Sequence, residues 1–270
     1  MAAADELDPS SSVLAFFATE VRRVRTEAGM SQADLAKRVY LTRSLLCKIE
    51  AATRVPSEDL AERLDDVFET GKHFQRLWPL VIKHAYPPWF RPFVELEEQA
   101  EVIQAFENQV VPGLLQTENY ARAILEAGPL DNVEELLAAR MVRQRILDRE
   151  TPPQLWVVLD ENVLRRMVGG PVVMREQYAR LIEAAESRRN VIQIVPYEAG
   201  AHAGLGPFWV LSFDEGADVV YEEGAFEGRL LADPTNVKAA RRAYDLLKAV
   251  ALSPQASIDM IAKALKELDP

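Results

Sequence analysis

The sequence predicts an α+β protein, in which an all-α module precedes a mixed α/β domain with a small, mainly antiparallel sheet. Three observations favour this class. Residues 13–85 carry apolar positions at helical spacing, separated by short capping segments. The run YPPWFRPF at 86–93 then interrupts the helical pattern with three prolines. Beyond this run, short β-branched stretches alternate with helical patterns.

Length and charge narrow the classes of function. The chain has 270 residues, of which 49 % are hydrophobic, enough for a sizeable core in one or two domains. The formal net charge of −11 argues against nonspecific adhesion to nucleic acid or to an anionic membrane. However, residues 13–85 hold 12 basic and 10 acidic residues, whereas residues 86–270 hold 19 and 29. The N-terminal part, at a net +2, can therefore approach a phosphate backbone.

The single cysteine and the N-terminal composition indicate a compartment. Cys47 has no partner for a disulfide within the chain, which fits a reducing interior. Residues 1–12 are acidic and lack the apolar run of a signal peptide, so we expect a flexible leader there. No stretch of 18 uncharged apolar residues occurs, so we expect no membrane span. These observations predict a cytoplasmic protein.

Two helices open the module. In the first, apolar residues recur at spacings of three and four, and Gly29 ends the helix: Leu14, Phe17, Val21, Val24 and Ala28. Ser31 begins the second helix and, together with Asp34 at the third helical position, predicts a capping box. Tyr40 and Leu41 then form a turn without the glycine that is common at this place.

Two further capped helices follow, and the first of them has an unusual face. Thr42 caps a helix over residues 43–51, and Ser57 caps one over residues 58–69. On the first of these, Leu46 and Ile49 point inward, and the opposite side carries short polar and cationic groups: Ser44, Cys47, Lys48 and Ala51, with Arg43 on the flank. Long cationic donors beside small residues suit insertion into a DNA major groove.

These residues carry a family resemblance. VRRVRTEAGMSQADLAKRV followed by TRSLLCKIEAATRVPS resembles the helix-turn-helix domain of lambda-type repressors, the xenobiotic-response-element family. The resemblance implies that Arg25 pairs with Glu50 behind the recognition helix and that Gln32 contacts a phosphate. It further implies base contacts from Arg43, Ser44 and Lys48, and backbone contacts from Thr42, Thr53 and Arg54. Double-stranded DNA is the implied partner, bound by a homodimer.

Other interpretations of these residues stay open. Arg43 and Lys48 could be surface cations of a protein-docking module, Arg25 and Glu50 could be an unpaired surface pair, and Gln32 could be solvated. Cys47 invites a redox switch, but a small contact residue is favoured because the sequence shows no basic cluster beyond Lys48 that would activate the thiol. The module is only mildly basic, so we expect few phosphate contacts, a moderate salt dependence and a need for dimerisation.

The remaining residues, 86–270, predict the second domain. Strands are expected at 155–160 and 191–197, and at 208–213 and 218–223 as a hairpin, whereas 102–111 is ambiguous between helix and strand. Helices are expected at 117–125, 174–188, 235–251 and 254–268, and at 132–149 with its four arginines pointing outward.

The second domain shows no catalytic or metal-binding pattern. Its candidates are the pair Asp160 and Glu161, explained as well by helix capping as by acid–base work, and the glycine-rich loop GAHAGLGPF. That loop could cradle a ligand, but a flexible connection between strands is favoured because no phosphate-binding motif is present. The histidines lack metal-ligand spacing. We therefore expect no catalysis, no metal and no cofactor.

A second resemblance covers this domain. WFRPFVELEEQAEVIQAFENQVVPGLLQTENYARAIL and the later GPFWVLSF and VVYEE resemble an antitoxin-like domain of unknown function found in actinobacterial regulators. The resemblance implies a small partner protein encoded nearby. Two functions follow: a DNA-binding transcriptional regulator controlled through its C-terminal domain, or an antitoxin-like protein that sequesters a small partner and binds DNA for autoregulation.

Overall fold

A computed structural model describes residues 7–130, 132–224 and 226–268. The chain divides into two compact units, one of residues 1–87 with 130–139 and one of residues 88–129 with 140–270. Residues 130–139, expected in the second domain, therefore group with the first unit. Of the expected leader, residues 1–6 lie outside the described residues, and residues 8–11 form a turn in which Ser11 N donates to Asp8 O at 3.1 Å.

The first unit contains five helices before residue 87, and their starts follow the predicted caps. They are α1 (Val13–Glu27), α2 (Gln32–Arg38), α3 (Arg43–Glu50), α4 (Glu58–Phe68) and α5 (His73–Ala85). Ser12, Ser31, Thr42 and Ser57 each accept a hydrogen bond from a backbone N–H in the first turn of the helix that follows, and Ser31 forms the complete capping box with Asp34.

Apolar faces of these helices meet in one core, whose fully buried members include Phe17, Leu35, Leu46, Leu64 and Phe74. The rings of Phe17 and Phe74 pack edge to face at 5.3 Å. Buried Asp65 was not anticipated from the sequence. Its carboxylate accepts hydrogen bonds from the amides of Phe74 and Gln75 at 2.9 and 2.8 Å, and so caps α5 from inside the core.

The second unit surrounds a six-stranded sheet. The strands are β1 (Val102–Glu107), β2 (Gln154–Asp160), β3 (Asn190–Val195), β4 (Phe208–Ser212), β5 (Val219–Glu223) and β6 (Gly228–Leu231). Their order is β3-β2-β1-β4-β5-β6, with β1, β2 and β3 parallel and the other neighbours antiparallel. The remaining helices of the chain are α6 (Arg91–Gln99), α7 (Glu118–Glu126), α8 (Val133–Arg143), α9 (Asn162–Arg165), α10 (Pro171–Glu186), α11 (Pro234–Val250) and α12 (Pro254–Glu267). They belong to the second unit, except that residues 133–139 of α8 belong to the first.

The two faces of the sheet are covered unequally. Ile103, Val157 and Ile194 lie on the face that packs into the main core with residues of α6, α10 and α12. Phe106 and Val158 lie on the other face, in a small cluster with Tyr244 and Leu247 of α11. Because strand residues alternate between faces, the register assigns every side chain of β1 and β5 to one face or the other.

The predicted α+β class and the predicted hairpin between β4 and β5 are confirmed. The ambiguous stretch forms strand β1, and β6 was missed because it has only four residues. The expected helix over 132–149 ends at Arg143 and continues as a 3₁₀ turn, Gln144–Asp148. Two of its arginines are not outward-facing, since Arg143 pairs with buried Glu97 and Arg140 donates to Gln116. Among the described residues, no helix has the length and apolar character needed to cross a membrane.

Candidate nucleic-acid interface

The helix α3 is held by one face and presents the other to solvent. Leu46 and Ile49 are buried, and Thr42 caps the first turn by accepting from Leu45 N at 3.2 Å. The turn that precedes α3 contains Tyr40 with a positive φ of 55°, a backbone conformation that usually selects glycine. The helix-turn-helix geometry expected from the sequence is therefore formed without the usual glycine.

The predicted base-contacting residues lie together on the outer face of α3. Arg43, Ser44 and Lys48 are exposed, as are Thr42 and Cys47. Within the described ranges, the side chains of Arg43, Ser44 and Lys48 form no hydrogen bond and no ion pair. A row of uncommitted cationic and hydroxyl donors on a rigid helix is suited to hydrogen-bond acceptors on base edges and phosphates.

A buried carboxylate supports α3 from behind. Glu50 is 1 % exposed, and its Oε1 and Oε2 accept hydrogen bonds from Arg25 Nε and Nη2 at 2.5 and 3.0 Å. The hydrogen bonds to Glu50 raise the pKa of the Arg25 guanidinium. This two-point ion pair joins α1 to the last turn of α3, and so fixes the direction in which α3 points.

Two more side chains complete this support. Arg22 Nη2 donates to the backbone oxygen of Glu50 at 2.7 Å, a contact that the sequence did not reveal. Gln32 Nε2 donates to Glu50 Oε2 at 2.8 Å. The amide expected to bind a phosphate is thus already committed to Glu50 through one of its hydrogens, and the second hydrogen is the one that a phosphate oxygen could accept.

The loop after α3 carries the last two predicted contact residues. Thr53 is exposed, and its hydroxyl donates to Lys48 O at 3.1 Å, at the end of the helix. Arg54 Nη1 lies 2.6 Å from the carboxylate of Glu134, in the segment 130–139 of the same unit. A DNA phosphate would therefore compete with Glu134 for Arg54. Ala52 takes the left-handed conformation, φ 54°, in the loop that lacks the expected glycine.

The candidate catalytic groups of the second unit are committed to structure. Asp160 accepts from Asn162 N at 2.8 Å and from His202 Nε2 at 3.0 Å, while His202 Nδ1 accepts from Gly204 N. Glu161 accepts from Tyr197 N and Arg165. These bonds hold the glycine-rich loop, and a Cβ on Gly204 would lie 2.2 Å from the Phe106 ring, so this glycine allows close packing.

Comparison with known families assigns both parts of the chain. Residues 90–263, more than half of the chain, match the model of a family described as a domain of unknown function (DUF5753). The chain belongs to this family. Residues 17–76 match a helix-turn-helix domain, and this match includes α2, α3 and the turn between them. The chain is thus a helix-turn-helix protein with a C-terminal DUF5753 domain, an arrangement that indicates a DNA-binding regulator.

Neither a curated protein nor a solved structure matches the chain.

Proposed function

We propose that this DUF5753 protein is a sequence-specific transcriptional regulator of the lambda-repressor type, which binds double-stranded DNA as a homodimer and acts without catalysis in the cytoplasm. The supporting observation is the outer face of α3, where Arg43, Ser44 and Lys48 are exposed and uncommitted while Glu50 anchors the helix from behind. In this proposal, Arg43 and Lys48 read bases, and Thr42 and Gln32 contact the phosphate backbone. The Thr53 hydroxyl would contact a phosphate only by giving up its hydrogen bond to Lys48 O.

The low charge of the first unit supports dimerisation. Arg23 pairs with Glu20 and Glu27, and Arg63 pairs with Asp59, so several of its cations are already neutralised. One copy would then neutralise few phosphates, and two copies on adjacent half-sites double the contacts. We expect an operator with two half-sites about 10 base pairs apart, one turn of DNA.

Control through the C-terminal domain is the second part of the proposal. Helix α8 is continuous, and the division of the chain assigns its residues 133–139 to the unit that carries α3 and residues 140–143 to the other. Glu134 on this helix holds Arg54. A partner or ligand that shifts α8 would release or retain Arg54, and so change the affinity for DNA.

The test is genome-wide mapping of bound DNA for the wild-type protein and for the Arg43→Ala variant at equal cellular levels. The proposal predicts discrete sites that share a two-fold symmetric motif, and loss of these sites in the variant. Identical maps for the two proteins would overturn the assignment of Arg43, and a map without discrete sites would overturn sequence-specific binding.

A second candidate function is an antitoxin-like protein that sequesters a small partner protein and binds DNA only for autoregulation. It is favoured by two almost fully exposed apolar side chains, Leu205 and Phe226, beside a groove of about 720 Å³ between β5, β6 and α11. The test is co-expression with the product of a small reading frame adjacent to the gene. A stoichiometric complex that Leu205→Ser and Phe226→Ser both abolish would support this candidate, and separate elution of the two wild-type proteins would refute it.

A further inference from the structure

Two glutamates lie close together on the main-core face of the sheet in the second unit. Glu107 ends β1 and Glu223 ends β5, and the start of β4 lies between them, since Phe106 pairs with Phe208 and Phe208 pairs with Glu222. The two backbones are thus separated by two strand spacings, about 10 Å. Glu107 is 5 % exposed, whereas Glu223 is an exposed residue. One carboxylate is therefore buried, and the other marks an approach from solvent.

The charges around these glutamates do not balance. Two arginines face Glu107, Arg140 and Arg143. Arg143 Nε is already 2.9 Å from the buried carboxylate of Glu97, and Arg140 Nη1 donates to Gln116 at 2.7 Å. When all are ionised, three carboxylates (Glu97, Glu107 and Glu223) face two guanidinium groups, so the cluster lacks one positive charge.

One buried polar group of this cluster also lacks a hydrogen-bond partner. In the part of the chain that the structure describes, the hydroxyl of Tyr221, a residue with 0 % exposure, has no hydrogen-bond partner. Burial raises the pKa of Tyr221, and Glu223, Arg143 and Glu107 also act on it, which places its hydroxyl among these charges. Buried polar groups are normally paired, so an unpaired hydroxyl beside the Glu107 and Glu223 carboxylates indicates a missing partner.

The surroundings select the kind of partner. The ring of Tyr221 stacks on Phe93 at 4.2 Å and lies 5.4 Å from Trp209, and the guanidinium of Arg143 lies over the Phe93 ring at 6.0 Å, so aromatic rings accompany the charged groups of the cluster. A Cβ on Gly228 would lie 2.1 Å from the Tyr221 hydroxyl, so only glycine leaves room for the tyrosine in this position. Among the described residues, no group of three or more His, Cys, Asp or Glu is arranged to hold a metal ion. Carboxylates beside aromatic rings suit an organic cation with several N–H donors.

We propose that Glu107, Glu223 and Tyr221 form a binding site for a small organic cation that carries a primary ammonium or guanidinium group. The cation supplies the missing positive charge, and its N–H groups donate to the Glu107 and Glu223 carboxylates and to the Tyr221 oxygen. The site lies within the second unit and stands independently of the proposed DNA binding.

The raised pKa of Glu107 makes cation binding at this site dependent on pH. Burial and the neighbouring Glu223 hold the pKa of Glu107 well above its ordinary value. Arg140 and Arg143 act in the opposite direction. The protein atoms around the Glu223 carboxylate partly desolvate it and so raise its pKa as well, although the residue keeps a solvent-exposed surface. A carboxylate must be ionised to pair with a cation. At a pH below the raised pKa of Glu107, cation binding therefore releases a proton from Glu107, and the affinity for the cation increases as the pH rises through that pKa.

The experiment is calorimetric titration of the full chain with agmatine, which has an ammonium and a guanidinium group, and with 1,4-butanediol as the uncharged control. Titrations in two buffers of different ionisation enthalpy count the protons released. Glu107→Gln and Glu223→Gln remove one charge each, and Glu222→Gln is the matched control, because Glu222 is exposed on the opposite face of the same strand.

We expect saturable binding of agmatine with proton release, and affinity at least about tenfold weaker in Glu107→Gln and Glu223→Gln, the effect of one charge-assisted hydrogen bond. Glu222→Gln should bind like the wild type. Glu107→Gln removes a buried charge and is expected to fold. No saturable binding by the wild type, equal affinity in Glu107→Gln, or equal binding of 1,4-butanediol would each overturn the proposal.

Discussion

The ion pair behind the recognition helix gives a prediction with a calculable size. In Arg25→Ala, the Glu50 carboxylate, at 1 % exposure, would keep only the Gln32 amide as a side-chain donor. Breaking a buried pair by removing one partner costs about 3–5 kcal/mol, because the remaining charge stays buried and uncompensated. The free energy of unfolding of a whole domain is about 5–15 kcal/mol, so a loss of this size is a large fraction of the total and is easily measured.

The matched control is Arg23→Ala on the same helix. Arg23 pairs with Glu20 and Glu27, but its side chain is 50 % exposed, and exposed pairs contribute about 0–1 kcal/mol. Native-state hydrogen exchange of the α3 amides, combined with urea unfolding of the full chain, measures both variants. The double variant Arg25→Ala with Glu50→Ala should cost less than the sum of the single changes by at least about 1 kcal/mol. Equal losses in Arg25→Ala and Arg23→Ala would refute the reasoning.

Three further predictions concern other parts of the chain. Glu134→Gln removes the carboxylate that pairs with Arg54, so Arg54 can bind a phosphate instead. Operator binding, measured by an anisotropy titration, should tighten by up to about fivefold, because an exposed pair contributes about 1 kcal/mol or less. Weaker binding would contradict the competition between Glu134 and phosphate for Arg54. Ala52→Gly relieves a left-handed backbone conformation and should stabilise the first unit by about 0.5–1 kcal/mol in urea unfolding, with Ala51→Gly destabilising as the control. The pKa of Glu107 is higher in the folded than in the unfolded chain, so the free energy of unfolding of the wild type falls by about 1.4 kcal/mol per pH unit as the pH rises between these two pKa values. Glu107→Gln should therefore be more stable than the wild type at pH 7 but not at pH 4. Equal dependence of the unfolding free energy on pH in the two proteins would contradict this.

Local signals in the sequence predicted the first unit well. Ser12, Ser31, Thr42 and Ser57 each begin a helix because a hydroxyl before an apolar stripe satisfies free backbone N–H groups. The outer face of α3 also follows from helical periodicity alone. By contrast, Asp65 caps α5 from inside the core, and Arg22 reaches the backbone of Glu50 across 28 residues; no local pattern encodes such long-range contacts.

The second unit was predicted only in part, for a related reason. Arg140 and Arg143 follow a periodicity that is typical of a solvated helix face, yet tertiary contacts turn them toward Gln116 and Glu97. Glu107 ends a strand whose apolar residues are evident, but the charged groups that act on its carboxylate, Glu223, Arg140 and Arg143, lie far along the chain. The charged cluster is therefore a product of topology, and it could not be read from the neighbours of Glu107 in sequence.

The central claim is that the outer face of α3 reads DNA, and operator binding by Lys48→Ala tests it most directly. The matched control is Lys263→Ala, an exposed lysine of the second unit whose side chain is 79 % accessible. We predict that Lys48→Ala weakens binding by roughly 5- to 150-fold, the value of one base contact of about 1–3 kcal/mol, while Lys263→Ala binds like the wild type and both variants stay folded. Equal affinity of Lys48→Ala and the wild type across a salt series would contradict the claim.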